Sequence, residues 1–289
     1  MEGPRILRPM GLGDILDETF DLYRRNLFLF VAIAAVLLVP YSVLYGALSR
    51  EWLSASSSGL SPLSPTLSPQ EVERMLGSLG RLSAMNLIYV VLSVIMSAAL
   101  TLAVSNRFLD RPATMVDSYA FILRRVGAFL LTEFLVGLMF LGAFVLILVG
   151  GAVLMVIFYF WTALVPYVFV VEGRKYGPAI RRSRDLARGQ WGRIFVLGLL
   201  VGLITMVFLA LASIVNSGLA AAGTKWMGAY VLSALFSGVA SSFATPIPII
   251  ATIILYYDIR VRREGFDLEM LARELTSKPG GGSAPTTQE

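Results

Sequence analysis

The sequence predicts an all-α integral membrane protein. It reads as a bundle of about six transmembrane helices in three hairpins, each preceded by a cytoplasmic interfacial helix, with both termini in the cytoplasm. Three observations predict this. Hydrophobic residues make up 56% of the 289 positions and charged residues 15%, with a mean hydropathy of +0.74. A soluble domain of that composition would expose too much apolar surface, whereas lipid solvates it. Apolar runs reach the roughly 20 residues a bilayer crossing needs, and a helix satisfies its own backbone hydrogen bonds inside lipid. Finally, Lys and Arg fall almost entirely on one side of those runs.

The elements follow in order. An amphipathic entry segment runs from Leu12 to Arg25. Its apolar residues Leu12, Ile15, Leu16, Thr19, Phe20, Leu22 and Tyr23 fall mostly at helical spacing. Asp14, Asp17, Glu18 and Asp21 argue against a cleavable signal peptide, so the long apolar run that follows is expected to act as a signal anchor. Span one covers 27–48. The outer segment 49–84 carries a Ser-rich stretch with Pro62, Pro65 and Pro69, and is expected to be a flexible loop holding one short helix over 68–82, capped by Ser68 with Glu71 three residues on. Span two covers 85–106. A second entry segment starts near Pro112 and ends at Arg124-Arg125. Spans three (127–149) and four (151–171) run together, and Gly150-Gly151 marks a tight turn between them. One helix of about 45 residues, at about 1.5 Å each, would be twice a bilayer thickness. A third entry segment starts at Pro178 and ends at Arg188; both prolines sit where a helix start tolerates them. Span five covers 194–217 and span six 228–257. Residues 1–272 form one membrane domain, and 273–289, rich in Gly, Ser and Thr near the end, reads as a disordered cytoplasmic tail. The three entry-plus-hairpin units suit an internal repeat, and shared membrane physics accounts for them as well.

Charge sets the orientation. All of the 24 Lys and Arg residues except Arg50, Arg74, Arg81 and Lys225 lie in the N-terminal segment, the loops after spans two and four, or the tail. The basic side is expected to stay in the cytoplasm. The net charge of +5 therefore needs no nucleic-acid partner, and no recognition module is visible. Arg24, Arg25, Arg124, Arg125, Arg181, Arg182, Arg184 and Arg188 are candidate contacts for anionic lipid headgroups.

Little in the chain suits catalysis. Histidine and cysteine are absent, which excludes Ser-His-Asp triads, Cys-His pairs, disulfides and His-ligated metal sites. No catalytic residue, metal or cofactor is expected. Nearly all carboxylates sit among cytoplasmic arginines; Glu133, about seven residues into span three, is the exception. A charge there is costly, about 2.5 kcal/mol or more at the bilayer centre. One reading is an ion or proton step, or a headgroup contact. The other, favoured by its depth of about 10 Å from Arg125, is pairing with an arginine of a neighbouring entry helix. Pro40, Pro166, Pro246 and Pro248 interrupt spans. Pro246 and Pro248 remove two backbone donors within one turn. That suits a kink fitted to its neighbours, or a broken helix lining a site. Gly198 and Gly202 form a GxxxG, and Ser233, Ala234, Ser237, Gly238 and Ser241 supply further small rows. These suit close helix packing within the chain or between protomers.

Three stretches carry a family resemblance: Gly11–Asp17 through Tyr23-Arg24-Arg25-Asn26; Val165-Pro166 through Glu172-Gly173 to Arg182-Ser183-Arg184-Asp185-Leu186-Ala187-Arg188-Gly189; and Tyr256-Tyr257-Asp258-Ile259-Arg260-Val261-Arg262-Arg263-Glu264-Gly265-Phe266-Asp267-Leu268. Over about 8–272 the chain resembles the membrane domain of some bacterial glycerophosphoryl diester phosphodiesterases and of stand-alone bacterial relatives. The resemblance implies a multi-helix membrane fold in a bacterial inner membrane. It does not imply hydrolysis, which in those enzymes belongs to a separate soluble barrel of roughly 250 residues using paired histidines and metal-binding carboxylates; no position here matches them. The expected function is a non-enzymatic multi-pass protein supporting lipid or cell-envelope processes as a scaffold or partner-binding subunit, with anionic headgroups, a membrane or cytoplasmic protein, and a second copy of the chain as candidate partners. The alternatives are a transporter or lipid-moving protein and, third, a membrane subunit linked to glycerophosphodiester metabolism.

Overall fold

Long apolar runs leave the backbone no outside hydrogen-bond partner, and helix is their solution. All regular structure among the described residues is helical. The computed structural model describes residues 9–59, 69–147, 150–222 and 227–265. The helices are α1 (Leu12–Arg25), α2 (Leu27–Gly59), α3 (Pro69–Phe108), α4 (Met115–Leu123), α5 (Val126–Val145), α6 (Gly151–Thr162), α7 (Val165–Glu172), α8 (Tyr176–Ala187), α9 (Trp191–Ala222), α10 (Met227–Ala244) and α11 (Pro246–Glu264). Six segments among them are long and apolar enough to cross a membrane: α2, α3, α5, α6 with α7, α9, and α10 with α11.

Two expectations change. The outer segment 49–84 is not a loop throughout, because α2 continues to Gly59 and α3 begins at Pro69. The short helix expected over 68–82 is the first part of α3. Gln70, Glu71, Glu73, Arg74, Met75 and Leu76 are strong helix formers, and they extend the spanning helix instead of ending before it. The rest of that expected loop, 60–68, and the tail 273–289 lie outside the described residues. Spans four and six are each two helices, with Pro166 in the first turn of α7 and Pro246 opening α11. The second break is a kink of one residue, since Thr245 keeps right-handed helical angles (φ −59°, ψ −37°).

The expected turn between spans three and four is present. Gly150 adopts φ +100°, a conformation that favours glycine. A Cβ on Gly151 would collide with the Ala143 carbonyl oxygen and with Leu146, so the reversal requires a bare backbone there.

The three units pack in cyclic order. Each entry helix lies against the second crossing of the preceding unit: α4 on α3, α8 on α6 and α7, and α1 on α11. Cross-unit hydrogen bonds fix them. Tyr23 donates to the Phe243 carbonyl (2.9 Å), Tyr119 to the Ile33 carbonyl (2.6 Å), and Leu164 N–H to Ser183 Oγ (3.2 Å). The second crossings form the centre. In their most apolar windows 39%, 44% and 61% of residues are buried, against 22%, 17% and 17% for the first crossings. The first crossings therefore face outward, where lipid rather than protein covers them. Close packing by small residues occurs between α2 and α10: a Cβ on Gly238 would lie 2.9 Å from Val39 Cα, and one on Gly46 2.8 Å from Ala234 Cβ.

Candidate functional site

The second crossings end together, and their ends carry the charge. Tyr256 to Gly265 at the end of α11 is the hub. Asp258 is fully buried and accepts from three donors: Arg193 at the start of α9 (2.5 Å), Arg262 (3.1 Å) and the Met10 backbone N–H (2.7 Å). The same two arginines donate to the Met10 carbonyl, at 2.9 and 2.8 Å. One carboxylate thus ties the chain start to α9 and α11. A second knot centres on Glu172 at the end of α7. It accepts from Arg182 (2.9 Å) and from the Tyr256 hydroxyl (2.9 Å), and pairs with Arg174 (3.0 Å). Glu264 joins Arg182 (2.8 Å) to Arg260 (3.1 Å). Hydrogen bonding to Glu264 and then Glu172 holds the Arg182 guanidinium above its ordinary value despite partial burial. Arg263 donates to the carbonyls of Asp185, Leu186 and Arg188, capping α8 with positive charge where its dipole favours it. Tyr257 shares a 2.6 Å hydrogen bond with Ser105 of α3.

Beside the hub lies a vestibule of about 740 Å³ enclosed by the ends of α3, α4, α7 and α11. Arg111, Arg125, Lys175 and Arg260 line it, with Glu172 the single carboxylate on its wall and Leu102, Leu109 and Phe169 among its apolar residues. Arg260 and Glu172 are committed to the hub. Among the described residues, Arg111, Arg125 and Lys175 form no ion pair. A neighbouring cavity of about 460 Å³ shares Arg111 but sets Glu18 and Asp110 against Arg25 and Arg107, so its charges are closer to balance.

The eight arginines expected to meet headgroups divide. Arg24, Arg25, Arg124, Arg125, Arg181, Arg184 and Arg188 are exposed. Arg24 and Arg25 approach Asp21 at 2.8 and 3.5 Å. Arg125 lies over the Phe121 ring (4.1 Å) and Arg184 over Trp161 (5.3 Å). Arg182 is the correction: its side chain is 18% exposed and faces Glu172 and Glu264.

Glu133 also departs from the favoured reading. It forms no ion pair among the described residues, and its buried Oε1 has no hydrogen-bond partner there. Of the arginines of α8, which packs on α5, Arg182 faces Glu172 and Glu264 and Arg184 lies over Trp161. The neighbouring Thr132 accepts the Tyr176 N–H (3.0 Å). Within one chain, Gly198 and Gly202 also do not serve close packing. A Cβ on Gly202 would meet nothing within 4 Å, and one on Gly198 would meet only the Tyr159 hydroxyl, at 3.3 Å. Both glycines, with Pro248, Tyr159, Tyr167 and Thr252, line an intramembrane cavity of about 240 Å³. The absent side chains therefore open space instead of admitting another backbone. Pro246 is buried at the kink.

Sequence reasoning missed Asp258, Glu172, Arg193 and Met10. Two signals were available: an aspartate directly following Ile-Leu-Tyr-Tyr, and a lone glutamate ending the apolar run Val-Phe-Val-Val. An acid in such surroundings needs a buried partner. Comparison with family models, with curated proteins and with solved structures finds no match for this chain.

Proposed function

We propose that this chain is a non-enzymatic multi-pass protein of a bacterial inner membrane that engages anionic lipid headgroups, or a protein partner, at its basic end. In this reading both termini are cytoplasmic and the protein supports lipid or envelope processes as a scaffold. The observation that carries it is the surplus of exposed, uncommitted cations at the end where the crossings meet. Arg124, Arg125, Arg181 and Arg188 have no ion pair among the described residues, while the arginines of the hub are consumed internally. Juxtamembrane cations of this kind contribute about 1 kcal/mol each toward an anionic surface. The resemblance to phosphodiesterase membrane domains supports a lipid-linked role. Extraction from native membranes in polymer discs, with mass spectrometry of lipids and proteins, tests the reading. Enrichment of anionic lipid or a stoichiometric partner is expected, reduced by an Arg124→Gln/Arg181→Gln/Arg188→Gln variant. Unchanged association in that variant counts against it.

A transport reading has one specific observation behind it. The cavity at Pro248 is lined by Tyr159, Tyr167 and Thr252, and Glu133 of α5 has a buried Oε1 with no hydrogen-bond partner among the described residues. Substrate flux lost in Glu133→Gln with expression intact would support that reading; flux indifferent to the change would remove it.

A further inference from the structure

We infer that the vestibule is a single site for a phosphate-bearing ligand, with the phosphate held by Arg111, Arg125 and Lys175. The inference rests on the lipid-engaging reading above and narrows it from a surface to a place. Shape comes first: about 740 Å³ falls within the roughly 300–1,000 Å³ typical of small-ligand sites. Charge comes second. The three cations arrive from separate positions in the fold. Arg111 follows α3, Arg125 caps the start of α5, and Lys175 caps the start of α8. The three cations are exposed and form no ion pair among the described residues, so they repel one another only weakly through water, while an anion set among them is attracted by all three. The other charges on the wall cannot supply that anion. Glu172 is held by Arg182, Arg174 and Tyr256, and Arg260 answers Glu172 and Glu264.

Phosphate suits the donor set better than carboxylate does. Guanidinium forks bind two phosphate oxygens each, and an ammonium contributes a point charge. A tetrahedral group can therefore meet donors from three directions, where a planar carboxylate offers two oxygens. Leu102, Leu109 and Phe169 beside the cations provide an apolar surface for the first carbons attached to the phosphate. The adjacent cavity is the contrast within the molecule: Glu18 and Asp110 there would repel the same ligand.

Native mass spectrometry of the full chain in a neutral detergent tests this. The probes are inorganic phosphate, glycerol 3-phosphate and a short-chain phosphatidylglycerol. One bound phosphate-bearing probe is expected for the wild type. Its affinity should fall at least tenfold in Arg111→Gln/Arg125→Gln/Lys175→Gln, and by a smaller factor in Arg111→Lys/Arg125→Lys, which keeps the charge and loses the forks. The surface variant Arg124→Gln/Arg181→Gln/Arg188→Gln should keep the single bound probe while losing association with anionic vesicles. Binding of glycerol 3-phosphate as tight as that of the lipid identifies a soluble phosphate ester as the ligand; binding of the lipid alone identifies a headgroup. Equal loss in the vestibule and surface variants overturns the single site and leaves the broader reading standing. Absence of any bound phosphate probe on the wild type, together with no association with anionic vesicles, overturns both.

Discussion

The hub at Asp258 and the vestibule next to it are built from the same residue type and use it oppositely. At the hub, Arg193 and Arg262 are spent on a buried aspartate and on the Met10 carbonyl. In the vestibule, Arg111 and Arg125 form no ion pair among the described residues, and the carboxylate on the wall, Glu172, is already held by Arg182, Arg174 and Tyr256. Proximity to the membrane surface does not separate the two, because both lie at the basic end. What separates them is the acid. The acids Asp258 and Glu172 at the ends of second crossings are largely buried and are paired with cations, since an uncompensated buried charge is costly. Where the nearby acid is already paired, the remaining cations stay available. The lesson is that arginines near a membrane are not one population, and the carboxylates decide which are structural.

The comparison can be broken most forcefully at its centre. Asp258→Ala leaves Arg193, Arg262 and the Met10 N–H facing an empty site. The expected loss is about 3 kcal/mol, below the upper end for buried pairs because Arg262 is 37% exposed. Thermal unfolding in detergent should show the loss, together with earlier proteolysis near the chain start, which Asp258 tethers. Glu172→Gln comes next. It keeps shape and removes charge from a side chain 10% exposed, leaving Arg182, Arg260 and Tyr256 with a weaker acceptor. About 2 kcal/mol is expected, again read by unfolding. At the other extreme, Arg111→Gln/Arg125→Gln/Lys175→Gln removes three cations that form no ion pair among the described residues. A stability change under about 1 kcal/mol is expected in neutral detergent. The same variant sharpens the comparison in a second way: the salt dependence of the protein's binding to anionic vesicles should become shallower, because fewer charges are screened.

Much of this architecture was legible in the sequence. Span positions, the Gly150-Gly151 reversal and the three entry segments follow from hydropathy and punctuation, which are local properties. The extents of α2 and α3 were not, because serines and prolines in 49–84 signal a loop while the charged stretch after Pro69 favours helix, and the local helix formers prevailed. The fate of Arg182 was not legible either. Its partner Glu264 lies 82 positions away, and nothing in one sequence links such distant residues. Gly198 and Gly202 show a different limit: their spacing marks a bare strip on α9, but whether a helix or a cavity lies against that strip depends on distant residues such as Tyr159 and Pro248. Glu133 was visible as an anomaly, and only the fold shows that it forms no ion pair among the described residues and that its buried Oε1 has no hydrogen-bond partner there.

The most direct test of the division between committed and available arginines is thermal unfolding of three proteins side by side: the wild type, Asp258→Ala, and the triple vestibule variant. Each is measured in neutral detergent with and without short-chain phosphatidylglycerol. The wild type should gain stability with lipid, as any ligand of the folded state confers. Asp258→Ala should unfold at a much lower temperature yet keep that gain. The vestibule variant should match the wild type without lipid and show none of the gain. A vestibule variant that unfolds as early as Asp258→Ala without lipid, or that retains the full lipid increment, would contradict the division.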